Sequence, residues 1–237
     1  MKRPKYKRVL LKVSGETFVG DEKFCFDFEA LRRFATQIKE VKDLGVDIGV
    51  MMGGGNIFRG KAAEAFGMER VCADYIGMLA TVINALILQE VLEKMNVPTS
   101  VLTAIRIENM AELYVKRKAI DHLKKGRILL LAGGTGNPYF TTDTAACLRA
   151  LEIGAEVVIK GTKVDGIFSA DPVAYPQAEK FDSLSYLEVL DKKLGVMDAT
   201  AVTLCMDNKL PIVVFNLQQE GNLKRIILGE ALGTIVE

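Results

Sequence analysis

The sequence predicts an α/β fold in which a mainly parallel sheet is sandwiched between helices. Two observations predict it. Short apolar runs alternate with stretches of helical periodicity along the whole chain, the pattern of strand-helix-strand units whose crossovers make the strands parallel. The apolar runs are also rich in Val, Ile and Leu with little polar alternation, as strands covered on both faces should be. A length of 237 residues with 49% hydrophobic and 26% charged side chains suits one large α/β domain with a packed core.

The elements follow in order. Arg8–Val13 reads as the first strand. Asp27–Leu44 reads as a helix, because Phe28, Leu31, Phe34, Ile38 and Val41 recur at spacings of three and four and make one apolar face. Asp47–Met52 is the second strand. Asp74–Met95 is a helix that is apolar over more than one face, through Met78, Leu79, Val82, Ile83, Leu86, Ile87, Leu88, Val91 and Leu92. Such a helix is buried on more than one side, as a central core helix or at a subunit interface. Thr99–Thr103 and Arg127–Ala132 are strands, Asp143–Ile153 a helix, and Glu156–Lys160 and Ile212–Phe215 strands, with a last strand near Thr234–Val236. Between them Ser169–Ala178, with two prolines, reads as an ordered surface loop.

Bulk properties exclude several classes. A formal net charge of +1 argues against a general nucleic-acid or membrane-surface binder. The basic start Met1–Arg8 leads into an apolar run of only Val9–Leu11, too short for a signal peptide. No window is expected to reach the roughly 20 apolar residues of a membrane helix. Cys25, Cys72, Cys147 and Cys205 are far apart and form no CxxC pair, so neither a zinc site nor a disulfide framework is expected, and a reducing cytoplasm fits. The only histidine, His122, lies in a polar run and reads as a surface residue.

Function is concentrated in loops after strands. Gly133-Gly134-Thr135-Gly136-Asn137-Pro138-Tyr139-Phe140-Thr141-Thr142-Asp143 joins a buried-looking strand to a helix. Its glycines let backbone N–H groups approach a ligand, and the helix start offers free amides and a positive dipole end, a place to hold phosphate. Three more loops have the same character: Lys12-Val13-Ser14-Gly15, Gly53–Gly60 and Lys160–Gly166. In a parallel sheet the loops at the carboxyl ends gather on one edge. Cations among backbone amides there suit a polyphosphate.

Competing motifs fit less well. Gly55-Asn56-Ile57-Phe58-Arg59-Gly60-Lys61-Ala62 resembles a P-loop, but Ala62 stands where the magnesium-binding hydroxyl belongs. Neither Gly53-x-Gly55 nor Gly134-x-Gly136 has the third glycine of a dinucleotide fingerprint. No G-x-S-x-G elbow is present, and cationic loops suit polyanions better than the sugars of paired-carboxylate hydrolysis.

Together these segments resemble the amino-acid-kinase superfamily, and within it the bacterial uridylate kinases. The resemblance runs through VLLKVSGE (Val9–Glu16), GGGNIFRG (Gly53–Gly60), GMLATV (Gly77–Val82), TGNPYFTTDTAACLR (Thr135–Arg149), TKVDG (Thr162–Gly166) and VMD (Val196–Asp198). It implies a three-layer α/β/α sandwich and reversible transfer of the γ-phosphoryl group of MgATP to UMP. It also implies one domain with a UMP-binding lobe near 1–155 and an ATP-binding lobe near 156–237, normally assembled as a homohexamer. By the same resemblance Lys12, Val13, Ser14, Gly15, Gly55, Arg59, Thr162, Phe168 and Asp171 serve ATP. Gly54, Asp74, Thr135, Gly136, Asn137, Pro138, Tyr139, Phe140, Thr141 and Thr142 serve UMP. Lys12 and Arg59 neutralise phosphate charge, and Asp143 and Asp198 orient the cations or the metal. Asp74 would accept ribose hydroxyls or cap its helix, Asp143 has the same capping alternative, and Phe168 would lie against adenine or in the core. Mg2+ is expected on ATP phosphates and water, with no dedicated protein cage. UTP is expected to inhibit. GTP activation is expected to be weak or to use other contacts, because among the positions corresponding to the basic effector site, Gln89, Glu93, Ser100 and Arg127, only Arg127 is cationic. A nucleotide storage or sensor protein on the same scaffold is the alternative reading.

Overall fold

β1 (Arg8–Val13) runs through the middle of the sheet that organises the molecule. The structure, a computed structural model, describes residues 3–19, 25–60 and 66–237. The P-loop-like pair Lys61 and Ala62 and the extreme start of the chain lie outside the described residues. β1 is flanked on one side by β2 (Asp47–Met52), β5 (Ile128–Ala132), β3 (Thr99–Thr103) and the short β4 (Glu112–Leu113). On the other side lie β6 (Val158–Thr162), β10 (Ile212–Asn216), β11 (Thr234–Val236) and β9 (Ser183–Leu184). All neighbours pair in parallel except β10 and β11. A separate hairpin of β7 (Ile167–Phe168) and β8 (Lys180–Phe181) frames the loop predicted over Ser169–Ala178.

Two apolar layers cover the sheet, because successive strand residues point to opposite faces. Val9, Leu11 and Val13 pack with Ile48, Val50 and Ile159 beneath α1 (Phe28–Asp43), α2 (Arg70–Lys94) and α7 (Asn222–Ile227). Leu10 packs with Met51, Leu129 and Val158 beneath α3 (Lys116–Lys124), α4 (Thr142–Ile153), α5 (Tyr186–Asp191) and α6 (Ala199–Asp207). This is the expected three-layer α/β/α arrangement.

Several expected boundaries move. α2 starts at Arg70, one turn before the predicted Asp74, so Asp74 sits inside the helix and Glu69 takes the cap position. Asp74 is therefore not an N-cap. α4 starts at Thr142 with Thr141 as its cap, whose hydroxyl accepts from Asp143 N and Thr144 N, so Asp143 is not the cap either. β6 is shifted two residues beyond Glu156–Lys160, since its ladder with β10 extends to Thr162 opposite Asn216. β4, β7, β8 and β9 have two residues each and carry no readable periodicity.

By length and composition α2 is apolar enough to cross a membrane, which the sequence reading did not foresee. In the fold it is a core helix: Val82, Ala85, Leu88 and Leu92 are buried against the sheet. Its opposite side leaves Tyr75, Leu79 and Ile83 between 45% and 48% exposed. His122 is seated more deeply than a surface residue, with its ring between Ser100 Oγ at 3.1 Å and Glu112 Oε2 at 2.7 Å. Cys147 on α4 and Cys205 on α6 are buried free thiols. A hydrogen bond with Cys205, together with burial, pushes the Cys147 thiol far up, so it stays protonated and inert.

Candidate active site

Four adjacent strands, β5, β2, β1 and β6, are parallel, so the loops at their carboxyl ends share one edge. These are the four glycine-rich loops singled out in the sequence. The chain builds outward from β1 to one side through β5 and then to the other through β6 and β10. The crevice where such an order reverses is where α/β sheets bind ligands. Here it lies between β1 and β6.

At that crevice Lys12 and Lys160 are register partners on neighbouring strands. Both belong to the face covered by α4, as the alternation with Leu10 and Val158 requires. Two buried ammonium groups side by side repel, and Asp143 in the first turn of α4 lies between them. Lys12 Nζ is 2.7 Å from its Oδ1, and Lys160 Nζ is 2.7 Å from its Oδ2. The three side chains are only 10%, 13% and 12% exposed. Burial by itself pushes the Asp143 carboxyl up, but Lys12 and Lys160 together outweigh it and hold it below the usual carboxylate range. For Lys160 burial prevails over the attraction of Asp143, and its ammonium lies below the usual lysine range. The Lys12 contact is charge to charge: Asp143 Oδ1 accepts no aligned hydrogen bond. Lys160 also donates to the Val196 carbonyl.

Asp198 ties this centre to the second half of the chain. It caps α6 by accepting from Ala201 N, and it accepts from the hydroxyls of Thr141 and Thr144 in the start of α4. The helix starts of α4 and α6 are thereby clamped beside the lysines, with their positive dipole ends converging.

Two recesses flank the Lys12–Asp143–Lys160 centre. One, of about 570 Å³, is lined by Lys160, Thr162, Phe168, Asp171, Gly195 and Val196. Three of these are residues expected at the ATP site, and Phe168 is half-buried in the lining of the recess instead of being enclosed in the core. The other is lined by Gly54, Gly55, Asp74, Gly134, Phe140 and Thr142. Four of those are expected UMP positions. Asp74 accepts from Tyr139 N at 2.7 Å and from Arg70 Nε at 2.9 Å, which draws the Thr135–Thr142 run onto α2. Tyr139 adopts φ +72°, and Arg70 lies 5.4 Å from its ring centroid. Thr135, Gly136, Asn137 and Pro138 do not line that recess. Thr135 and Asn137 close a turn on each other, Thr135 Oγ1 accepting from Asn137 N and donating to its carbonyl.

Arg59 is held at the rim. Its Nη2 is 2.6 Å from Glu16 Oε1 and its Nε donates to Gly55 O, with the side chain 66% exposed. Lys163 lies 3.9 Å from the other Glu16 oxygen. Ser14 caps the short 3-10 turn Gly15–Phe18 and so shapes the loop after β1. Gly15 is pressed onto the loop after β2: a Cβ there would run into Asn56 Oδ1 and lie 2.9 Å from Gly53 O.

In the sequence Lys160 is part of a cationic loop with no role of its own, Thr144 is one of the threonines where α4 begins, Thr81 lies within the GMLATV run, and Asn84 belongs to none of these segments. A signal for Thr81 and Asn84 was present, since they are polar residues in the most apolar stretch of α2.

A parallel sheet whose central strand end carries a lysine, faced by a carboxylate and glycine loops on both sides, defines a class. The chain belongs to the amino acid kinase family, whose model matches residues 7–216. Solved structures narrow the likeness within it. The chain is similar to UMP kinase from Bacillus anthracis, with 39% identity over 99% of this chain and 97% of that one, at a TM-score of 0.95. It is similar also to UMP kinase from Ureaplasma parvum, at 32% identity over 100% of both chains and a TM-score of 0.92. Uridylate kinase from Archaeoglobus fulgidus matches at 29% identity over 97% of this chain and 99% of that one, with a TM-score of 0.75.

Proposed function

We infer that this chain is a UMP kinase, an enzyme of pyrimidine nucleotide synthesis that reversibly transfers the γ-phosphoryl group of ATP to UMP, giving UDP and ADP. The observation that carries the reading is the buried Lys12–Asp143–Lys160 centre with a recess on either side, Lys160 lining one and Thr142, next to Asp143, lining the other. Phosphoryl transfer needs two phosphates in line and neutralisation of charge as it shifts between them.

Lys12, with Gly15 and the amides around Val13, Ser14 and Gly55, meets the donor phosphates, and Lys160 approaches them from the ATP side. Thr162, Phe168 and Asp171 hold the nucleoside of ATP. Gly54, Asp74 and the Thr135–Thr142 run hold UMP, with Asp74 on the ribose. Arg59 leaves Glu16 for the transferring phosphoryl group, where its planar fork engages two oxygens. Asp143 spaces the lysines, and Asp198 fixes the helix start that carries Asp143. No general base is required, because a phosphate monoester with its second pKa near 6 is largely ionised at neutral pH. Bonded to Ser100 and Glu112, the single histidine is engaged elsewhere.

Both carboxylates of the centre are committed, Asp143 to two lysines and Asp198 to Thr141, Thr144 and Ala201 N. That donor set fits Mg2+ carried by ATP phosphates and water better than a protein cage. Bound there, the ion supplies further charge neutralisation.

The exposed Tyr75, Leu79 and Ile83 on α2 favour a homo-oligomer, for which a hexamer is proposed. The lobes divide near residue 155, where the chain crosses from one side of β1 to the other. UTP is proposed to inhibit by occupying the UMP recess. GTP is proposed to activate weakly, since Gln89 donates to Glu93 and Thr99, and Arg127 donates to Thr99 O and Ser100 Oγ. Strong saturable GTP activation that disappears on changing Gln89 and Glu93 would contradict this. A cytoplasmic location is proposed with the substrates, with neither nucleic acid nor membrane as partner.

The test is a panel of UMP, CMP, AMP and GMP with MgATP, repeated with added UTP and GTP. A strong preference for UMP is expected. No UDP formation would refute the reading and favour a nucleotide storage or sensor protein.

A further inference from the structure

We propose that Thr81 and Asn84, two buried polar side chains on one turn of α2, are positioning residues that set the distance between the donor and acceptor phosphates. The proposal rests on the transfer reaction inferred above. Thr81 is 2% exposed and Asn84 fully buried, in a helix whose other buried side chains are apolar. Buried polar groups are retained where they have partners, and the partners here are the active-site loops themselves.

Asn84 Nδ2 donates to Gly53 O at 2.6 Å and to Asn56 Oδ1 at 2.8 Å, and its Oδ1 accepts from Asn56 Nδ2 at 3.0 Å. That amide pair reaches the loop after β1, because Gly15 packs directly on Asn56 and Gly53. Gly53 N also donates to Val13 O at 2.9 Å. One side chain thus locks the loop that carries Lys12 onto the loop that carries Gly54 and Arg59. Thr81 holds the third loop. Its hydroxyl donates to Met78 O and accepts from Gly133 N, each at 2.7 Å, so both roles of the hydroxyl are used. Gly133 opens the run that leads to Asp143.

The surrounding contacts fit a seat of fixed height. A Cβ on Gly54 would lie 2.8 Å from Ala80 Cβ and 2.9 Å from Gly77 O, so the loop rests on the small residues of the same turn. α2 therefore spans three loops that belong to both sides of the reaction, while Asn84 lines neither recess and Thr81 lines only the one with Gly54 and Asp74. A backplate of this kind acts on alignment more than on binding. A misplacement of about 1 Å costs roughly a hundredfold in rate.

Thr81→Val keeps the shape and removes the hydroxyl, while Thr81→Ser keeps the hydroxyl. With the UMP kinase assay, Thr81→Val is expected to lower kcat at least about tenfold, with KM for UMP and MgATP within about threefold of the parent. Thr81→Ser is expected to recover most of the rate. Asn56→Ala, at a half-buried position that leaves the α2 core intact, is expected to lower kcat in the same way and keeps the test open should Thr81→Val fold poorly. An unchanged kcat, a loss confined to KM, or a serine variant as impaired as the valine variant would overturn the proposal. Should the parent chain fail on UMP while turning over another acceptor, the substrate assignment falls, and the same kcat and KM comparison is made with that acceptor.

Discussion

Replacing Asp143 by Asn tests the centre most directly, because it removes one charge and almost no volume. Each lysine nitrogen lies 2.7 Å from a carboxylate oxygen. At an effective dielectric constant near 20, each contact has a gross Coulomb energy of about 6 kcal/mol. Most of that is offset by the desolvation of three buried ions, and removing one partner from such a cluster typically costs about 3–5 kcal/mol. In a chain of this size 1 kcal/mol moves the unfolding midpoint by about 2–4 °C, so Tm should fall by roughly 6–20 °C. The rate should fall by about 10² to 10³, as when one preorganised electrostatic group is lost, since the two ammonium groups then repel and lose their spacing. Steady-state assays at saturating MgATP and UMP, with calorimetry at several pH values, measure both. The Asp143 carboxyl is held below its ordinary value in the folded chain, so its stabilisation is complete above the ordinary carboxylate range. It is lost as pH falls through the lower folded value. The Tm gap between parent and variant should therefore be constant from about pH 7 to 5 and close only in stronger acid, below about pH 4. An unchanged kcat, or a gap that closes near neutrality, would refute the role given to Asp143.

Asp74→Asn removes the charged acceptor shared by Tyr139 N and Arg70. The KM for UMP should rise about tenfold with kcat little changed, as for loss of one charged hydrogen bond, and a loss confined to kcat would count against a binding role. Glu16→Gln releases Arg59 and Lys163 from an exposed carboxylate. Stability should change by less than about 1 kcal/mol while KM for MgATP falls; a rise would mean that Glu16 orients Arg59 instead of competing for it. Gly133→Ala places a Cβ 2.8 Å from Thr103 Oγ1 and 3.0 Å from Ala104 N at φ +74°. It should cost about 1–3 kcal/mol of stability and weaken UMP binding, measured by thermal unfolding and titration; parent-like behaviour in both would show that the loop tolerates a side chain.

The strands through the middle of the sheet were legible because their burial on both faces writes an unbroken apolar run. β1, β2 and β3 begin and end where the sequence places them. α1 was equally plain, with Asp27 capping and one apolar stripe. Legibility failed where an element is too short to show a period, as at β4 and β9. It failed also at the start of α4, where the cap is Thr141 and not the expected Asp143. The glycine loops announced a phosphate site, yet the inner structure of that site was hidden. Lys160 read as one more cation until register set it opposite Lys12. Thr81, within the GMLATV run, and Asn84 had no assigned role until Gly133, Gly53 and Asn56 came up against them.

What the sequence by itself determined is local: periods of two and 3.6 residues, glycines that free a turn, and the residue types that suit a polyanion. Such features are encoded within a few residues and need no partner. Only the tertiary structure decided that two lysines 148 positions apart in sequence (160 − 12) share one carboxylate, that Asp198 clamps two helix starts, and that the exposed and site-facing sides of α2 lie back to back. Register and burial depend on contacts between distant segments, and the charge state of Asp143 and Lys160 depends on the low-dielectric space those contacts enclose.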